Sequence, residues 1–171
     1  QGYGVPPTSN ANYAWILHIL NKLNVSRGIA GFLLANGALD DSDTLEIRKL
    51  LIESDKVEAI IVLPRNMFYS TDISVTLWIL NNNKKGGPWH GRQLRNRTGE
   101  ILFIDLRTWN SNIYEKKYVR LTEADIDRVR QIYFNWQTEN FVEYAEPELY
   151  YAAHRDEIQG KGYSLVPSRY I

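Results

Sequence analysis

Val57–Leu80, VEAIIVLPRNMFYSTDISVTLWIL, constrains the fold more than any other stretch of the chain. Its two apolar runs, Val57–Leu63 and Ile73–Leu80, are rich in Val, Ile, Leu and Trp, and their length and β-branched content predict buried strands rather than helices. The connection between them is longer than a tight hairpin turn and short for a helical crossover, so the strands are expected to be antiparallel neighbours. Met67, Phe68 and Tyr69 lie at its centre. Large apolar side chains on a loop at a sheet edge can bind something flat, although a loop aromatic folded onto its own core is the commoner arrangement.

Upstream, Ser9 or Asn10 can cap a helix whose apolar positions Tyr13, Ile16, Leu17, Leu20 and Leu23 follow the helical period, with Asn24 closing it. Gly28–Ala35, GIAGFLLA, carries apolar residues on both alternating faces, as in a strand covered on both sides. Asn36-Gly37 then reads as a turn needing positive φ, at the carboxyl end of a strand where ligands lie in open α/β sheets. Asp40 and Asp41 read as loop solvation, and Asp43 as the cap of a second helix, with Glu46 three residues on in a capping-box-like arrangement. The order helix, strand, helix, strand, strand argues for a layered α/β domain with a largely parallel sheet and one antiparallel strand. Three strands are few for such a sheet and leave an exposed edge. The chain starts at Gln1 rather than Met, in a segment that reads as the inside of a loop, so a fragment or a processed product is expected.

Downstream, Lys84–Arg97, KKGGPWHGRQLRNR, has five basic residues and no acid. Lys84, Lys85, Arg92, Arg95 and Arg97 on a glycine-containing loop suit phosphate contacts, although a basic run is more often solvated surface. Glu100–Leu106 reads as a further strand, Thr122–Gln137 as a helix opened by a Thr122/Asp125 capping pair, and Pro147 to about Ile158 as another helix. Tyr144, Tyr150, Tyr151, Tyr163 and Tyr170 make this end aromatic, which fits either an interface or a cap on the domain's own core.

The totals exclude several classes. Twenty basic and twenty acidic side chains cancel, so overall charge names no polyanion partner. There is no cysteine, which removes disulfides, thiolate metal sites and cysteine nucleophiles and fits a reducing cytosol. No apolar run approaches the ~20 residues that span a membrane. His18, His90 and His154 show no ligand spacing, so no metal site is expected.

The blocks YGVPPTSNANYAWILHILNKL, GIAGFLLANGAL, EIRKLLIESDKVEAIIVLPRNMFYSTDISVTLWIL and EILFIDLR, followed by LTEADIDRVRQIYFNW and YSLVPSRYI, carry a resemblance from Tyr3 to the C-terminus. In that order they resemble the modification subunit of type I restriction–modification systems, an S-adenosylmethionine-dependent adenine-N6 DNA methyltransferase. The resemblance implies the C-terminal half of a Rossmann-like methyltransferase sheet, with an antiparallel last strand, over residues 1–106. It implies a C-terminal helical extension over residues 107–171 that docks other subunits. In the family the glycine-rich donor loop and an Asn-Pro-Pro-Phe/Tyr tetrapeptide precede the segment matching Tyr3. Neither is present: Val5-Pro6-Pro7 lacks the Asn and the aromatic, and Gly2-Tyr3-Gly4 is only a remnant. The segment alone is therefore expected to be inactive, to hold no catalytic residue and to leave S-adenosylmethionine mainly to the missing half. The resemblance further places Phe68, or Tyr69 as the fallback, against a swung-out adenine, with Asn36 and Gly37 at the pocket edge. It implies double-stranded DNA and the specificity and restriction subunits as partners, no metal, and a prokaryotic cytoplasm. A non-catalytic DNA- or protein-binding module that keeps the half-sheet is the alternative.

Overall fold

In the computed structural model, which describes residues 2–171, helix α1 covers Asn12–Lys22 and buries Tyr13 and Ile16, with Leu17, Leu20 and Leu23 half-buried beside them. The expectation attached to Gln1 lies outside the described residues. Asn10 Oδ1 accepts from the Asn12 N–H at 3.1 Å, and Asn24 Oδ1 accepts from the N–H groups of Ser26 and Arg27 beyond the other end. These short polar side chains take up backbone donors as turns do, while the N-cap itself, Ala11 rather than Ser9 or Asn10, offers no side-chain cap.

Strand β1 (Ile29–Ala35), helix α2 (Leu45–Glu53), β2 (Val57–Val62) and β3 (Val75–Asn81) follow. The β2 and β3 strands are antiparallel neighbours, in register from Val57 opposite Leu80 to Val62 opposite Thr76, with an irregularity around Glu58. Every residue of β2 is buried, as a central strand covered on both faces must be. Two departures from expectation occur between β1 and α2. Asn36–Leu39 forms a 3₁₀ turn in which Gly37 is not among the positive-φ residues. Asp41, not Asp43, does the capping: its side chain accepts from the Asp43 N–H in a second 3₁₀ turn, Ser42–Thr44, and α2 starts without a side-chain cap. Two consecutive tight turns satisfy donors that a capping box would otherwise take.

The rest of the chain forms the hairpin β4 (Gly87–Trp89) and β5 (Arg92–Leu94), then β6 (Glu100–Asp105), and the hairpin β7 (Ile113–Tyr114) and β8 (Tyr118–Val119). Helix α3 (Glu123–Thr138), β9 (Ala145–Glu146), β10 (Tyr150–His154) and α4 (Arg155–Gly160) complete it. The expected capping box opens α3, with Thr122 and Asp125 each bonding the other's backbone N–H. The helix expected from Pro147 is half strand. Tyr150–His154 pairs antiparallel along β6, from Tyr150 opposite Ile104 to His154 opposite Glu100, and α4 begins only at Arg155. A free ladder edge on β6 satisfies that backbone at once and overrides the weak helical pattern.

One six-stranded mixed sheet results, in the order β1-β3-β2-β6-β10-β9. Only β2 and β6 are parallel neighbours; the other four pairings are antiparallel, so the sheet is not largely parallel side by side. Yet β1, β2 and β6 all run the same way, because β3 is inserted antiparallel between β1 and β2. Residues 107–171 are not wholly helical: they add two strands to this sheet, and Ala153, Ile158 and Leu165 share a core with Ile60 and Trp78.

Helices α1, α2 and α4 and the C-terminal tail pack on one face, around Trp78, Leu51 and Phe103; α3 packs on the other, through Ile132 and Trp136. The α3 side covers β2 and β6 but not β1, whose Ile29 and Leu33 stay 41% and 45% exposed. Coverage on both faces, expected for β1, is therefore absent. No described helix is long and apolar enough to cross a membrane.

Candidate functional site

Because β1, β2 and β6 point the same way, their carboxyl ends bring three loops to one edge of the sheet. That edge is where open α/β sheets place ligands. A cleft of about 650 Å³ opens there, lined by Asn36 after β1, Arg65 and Asn66 after β2, Arg107 after β6, and Lys117 at the tip between β7 and β8. Its lining includes three cations and no carboxylate.

Asn36 is anchored by Thr76 of β3, whose hydroxyl donates to Asn36 Oδ1 at 2.6 Å, so Oδ1 is committed to the fold. Its Nδ2 has no hydrogen-bond partner among the described residues. Gly37 is exposed next to it. The loop between β2 and β3 is pinned at both ends: Ser74 Oγ donates to the Leu63 carbonyl, and the Val119 N–H donates to the Asn66 carbonyl at 2.8 Å. Asn66 itself takes a positive φ of 59°, which bends the loop away from the strand direction.

The two aromatics of this loop have different surroundings. Phe68 is half-buried, bridges to Thr71 across a tight turn, and belongs to neither hydrophobic cluster of the core. Tyr69 is 68% exposed but engaged with the β7–β8 hairpin. Its ring lies 4.4 Å from that of Tyr118, and its hydroxyl donates to Glu115 at 3.2 Å.

At the opposite, amino end of the same strands the basic loop meets buried acids. Arg97 and Glu58 are both fully buried; Arg97 Nε donates to Glu58 Oε1 at 2.9 Å, and Nη2 makes an ion-pair contact with the same oxygen at 2.7 Å. Asn81 Nδ2 and the Tyr133 hydroxyl donate to the other oxygen, each at 2.7 Å. Lys84 is 3% exposed and gives its three protons to Asp55 and to the carbonyls of Val57 and Glu100. Burial pulls the Lys84 ammonium below its ordinary pKa against the opposing pull of Asp55. Arg95 grips Glu100 with both terminal nitrogens. Burial raises the Glu100 carboxyl, but the hydrogen bonds and charge of Arg95 outweigh it and hold the group below the usual carboxylate range. Arg92 sits 3.9 Å over the Phe134 ring and donates to Gln137.

This corrects the expectation for the basic run. Lys84, Arg95 and Arg97 are internal ion-pair partners with their donors used, so they are not available to phosphates, and Arg92 is clasped to α3. Only Lys85 is exposed without a partner among the described residues. The tyrosines of the C-terminal end are likewise engaged internally: Tyr144 donates to the Ile132 carbonyl, Tyr163 to Glu53, and Tyr170 stacks on Phe103 at 4.2 Å.

The comparisons with known proteins bear on this geometry. A family model described as N-6 DNA Methylase matches residues 1–171. The chain belongs to that family. This N-6 DNA methylase chain is 35% identical over 172 residues to the methylase subunit of the type I restriction enzyme HindI from Haemophilus influenzae, covering 99% of itself and 35% of that relative. It is 34% identical to the MjaIX methylase subunit from Methanocaldococcus jannaschii, covering 98% of itself and 28% of the relative. Among solved structures it superposes on a type I restriction–modification methyltransferase subunit from Streptococcus thermophilus with a TM-score of 0.77 at 26% identity, over 98% of itself and 31% of that chain. The chain thus spans about a third of the length of these relatives. The fold is accordingly a portion of a Rossmann-like methyltransferase.

Such a family implies S-adenosylmethionine, and the described residues do not form its cradle. Gly2 and Gly4 have φ of 94° and 85°, but a Cβ added at either would meet nothing within 4 Å, so they press against no neighbour. Neither lies in a strand–turn–helix, since α1 begins only at Asn12. Among the described residues no group of three or more His, Asp or Glu side chains is arranged to hold a metal ion.

Proposed function

We propose that this chain is the target-base side of an adenine-N6 DNA methyltransferase subunit, working with specificity and restriction subunits in a prokaryotic cytoplasm. The exocyclic nitrogen of adenine is unreachable inside stacked duplex, so the base must be swung out and held by stacking and edge contacts. The observation that carries the reading is Phe68: a half-buried aromatic on a pinned loop at the carboxyl edge, outside both core clusters. Tyr69 is the weaker candidate, because its ring and hydroxyl already engage the β7–β8 hairpin. Asn36, with Oδ1 held by Thr76, keeps an amide donor for an acceptor on the base edge. S-adenosylmethionine supplies the methyl group, and its binding belongs to parts of the subunit beyond the residues described. By itself the 171-residue chain transfers no methyl group.

The test uses the full-length product of the gene and a duplex whose target adenine is replaced by 2-aminopurine, which brightens on unstacking. Phe68→Ala should weaken capture of the extrahelical base by the equivalent of roughly 1–3 kcal/mol and slow methyl transfer, as loss of one base–aromatic stack does. Unchanged capture and turnover in Phe68→Ala, with Tyr69→Ala damaging, moves the role one residue along. Methyl transfer by the isolated 171-residue chain would overturn the claim that it is inactive alone.

A further inference from the structure

We infer that the phosphodiester backbone of the target strand is gripped by the cleft of Arg65, Arg107 and Lys117, and not by the basic run 84–97. The inference rests on the methyltransferase reading and adds which side chains hold the strand that carries the base. Three observations support it. The cleft lining contains three cations, three asparagines and a serine, with no acid. Such a set, cations plus neutral amides and a hydroxyl, is the one that contacts phosphate and sugar oxygens.

The guanidinium groups are also oriented yet unsaturated. Arg107 uses Nε and Nη2 on Asp105, and Arg65 uses Nε on the Asp72 carbonyl and Nη2 on its carboxylate at 3.8 Å. In both, Nη1 has no partner among the described residues. Lys117 pairs with no carboxylate among the described residues and lies 5.1 Å from the Tyr118 ring centre. Arg65 and Arg107 side chains are 68% and 50% exposed, whereas those of Lys84 and Arg97 are 2% and 0% exposed. Finally, Arg65 is three residues from Phe68 on the same pinned loop. A phosphate held by this loop is therefore one flanking the base that Phe68 would stack on.

Salt dependence of binding reads the number of phosphates neutralised. With the full-length product and a duplex target, log affinity is measured against log salt for the wild type, Arg65→Gln, Arg107→Gln, Lys117→Gln and the triple variant. Lys22→Gln, an exposed cation at the other end of the sheet, is the control for net charge. Each phosphate contact contributes about 0.9 to the slope, so the triple variant should lose about 2.7, and its affinity loss between 50 and 200 mM salt should shrink about 40-fold. Should the triple variant fail to fold, the three single variants carry the test at about 0.9 each. A wild-type slope in all cleft variants, from an enzyme that binds and methylates duplex, overturns the cleft assignment alone. A wild type that neither binds nor methylates duplex defeats the methyltransferase reading and the cleft with it. Cleft variants that lose affinity for a polyglutamate peptide, with duplex binding intact, would make the cleft a protein-docking site and overturn the inference.

Discussion

Replacing Arg97 by Met tests the division between structural and ligand-facing cations. In the folded chain Glu58 has no solvent contact and receives three hydrogen bonds, from Arg97 Nε, Asn81 and Tyr133, with Arg97 Nη2 a further 2.7 Å ion-pair contact. Arg97→Met leaves the carboxylate buried with two, and strands the Asn83 and Arg95 carbonyls that the guanidinium also reaches. Breaking one side of a buried pair costs about 3–5 kcal/mol, since the remaining charge cannot regain its water. At roughly 2–4 °C per kcal/mol for a chain of this size, the melting temperature should fall by about 6–20 °C. Trp136 lies 5.6 Å from the Arg97 guanidinium and reports unfolding by fluorescence in a urea titration. The double variant Glu58→Met with Arg97→Met removes the orphaned charge and should recover part of the loss. A single variant that melts within about 2 °C of the wild type, but binds duplex with a smaller salt slope, would refute the ion-pair account and restore Arg97 to the DNA surface.

Two further outcomes follow from the same end of the sheet. Glu100 is held below the ordinary carboxylate pKa, so its pairing with Arg95 contributes stability above that ordinary range, near 4.3, and loses it as pH falls through the depressed value. The gap in urea midpoint between wild type and Glu100→Gln should therefore be full at pH 6 and shrink on acidification; a gap constant down to pH 2.5 would refute it. Gly86 has φ of 89°, and a Cβ there would sit 2.5 Å from the carbonyl oxygens of Leu94 and Arg95. Gly86→Ala should destabilise by more than the ~1 kcal/mol of an ordinary conformational penalty, and a wild-type melting temperature would count against that backbone geometry.

What the sequence made legible was what is decided locally or by burial. The β2 and β3 strands were legible because their runs are rich in apolar and β-branched residues. The α3 start was legible because Thr122 and Asp125 sit three apart. What escaped was decided by distant partners. Tyr150–His154 has no period of its own and became a strand because β6 offered an edge. Lys84–Arg97 looked like solvated cation because Glu58 is 39 residues from Arg97 and Asp55 is 29 from Lys84. One local signal did exist: Glu58 is the single acid in VEAIIV, and a carboxylate inside a buried strand must find donors. The cleft cations gave no such signal, since Arg65, Arg107 and Lys117 stand in three separate loops that only the folded sheet brings together.

Strand direction, rather than local charge density, sorts the cations of this chain. Three strands running the same way give the sheet two unlike ends. At the amino end the sheet is closed against an edge carrying Asp55, Glu58 and Glu100, and Lys84, Arg97 and Arg95 pair with those acids. Three of the five cations of the basic run are thus consumed in making the fold, their charges paired inside the protein. At the carboxyl end Asp72 and Asp105 orient Arg65 and Arg107 from outside the lining of the cleft, and Lys117 there pairs with no carboxylate among the described residues. The three cleft cations thus lie at the same edge of the sheet as the β2–β3 loop that carries Phe68. A chain of net zero formal charge thus spends Lys84, Arg95 and Arg97 on its acids at one end of the sheet and leaves Arg65, Arg107 and Lys117 exposed at the other.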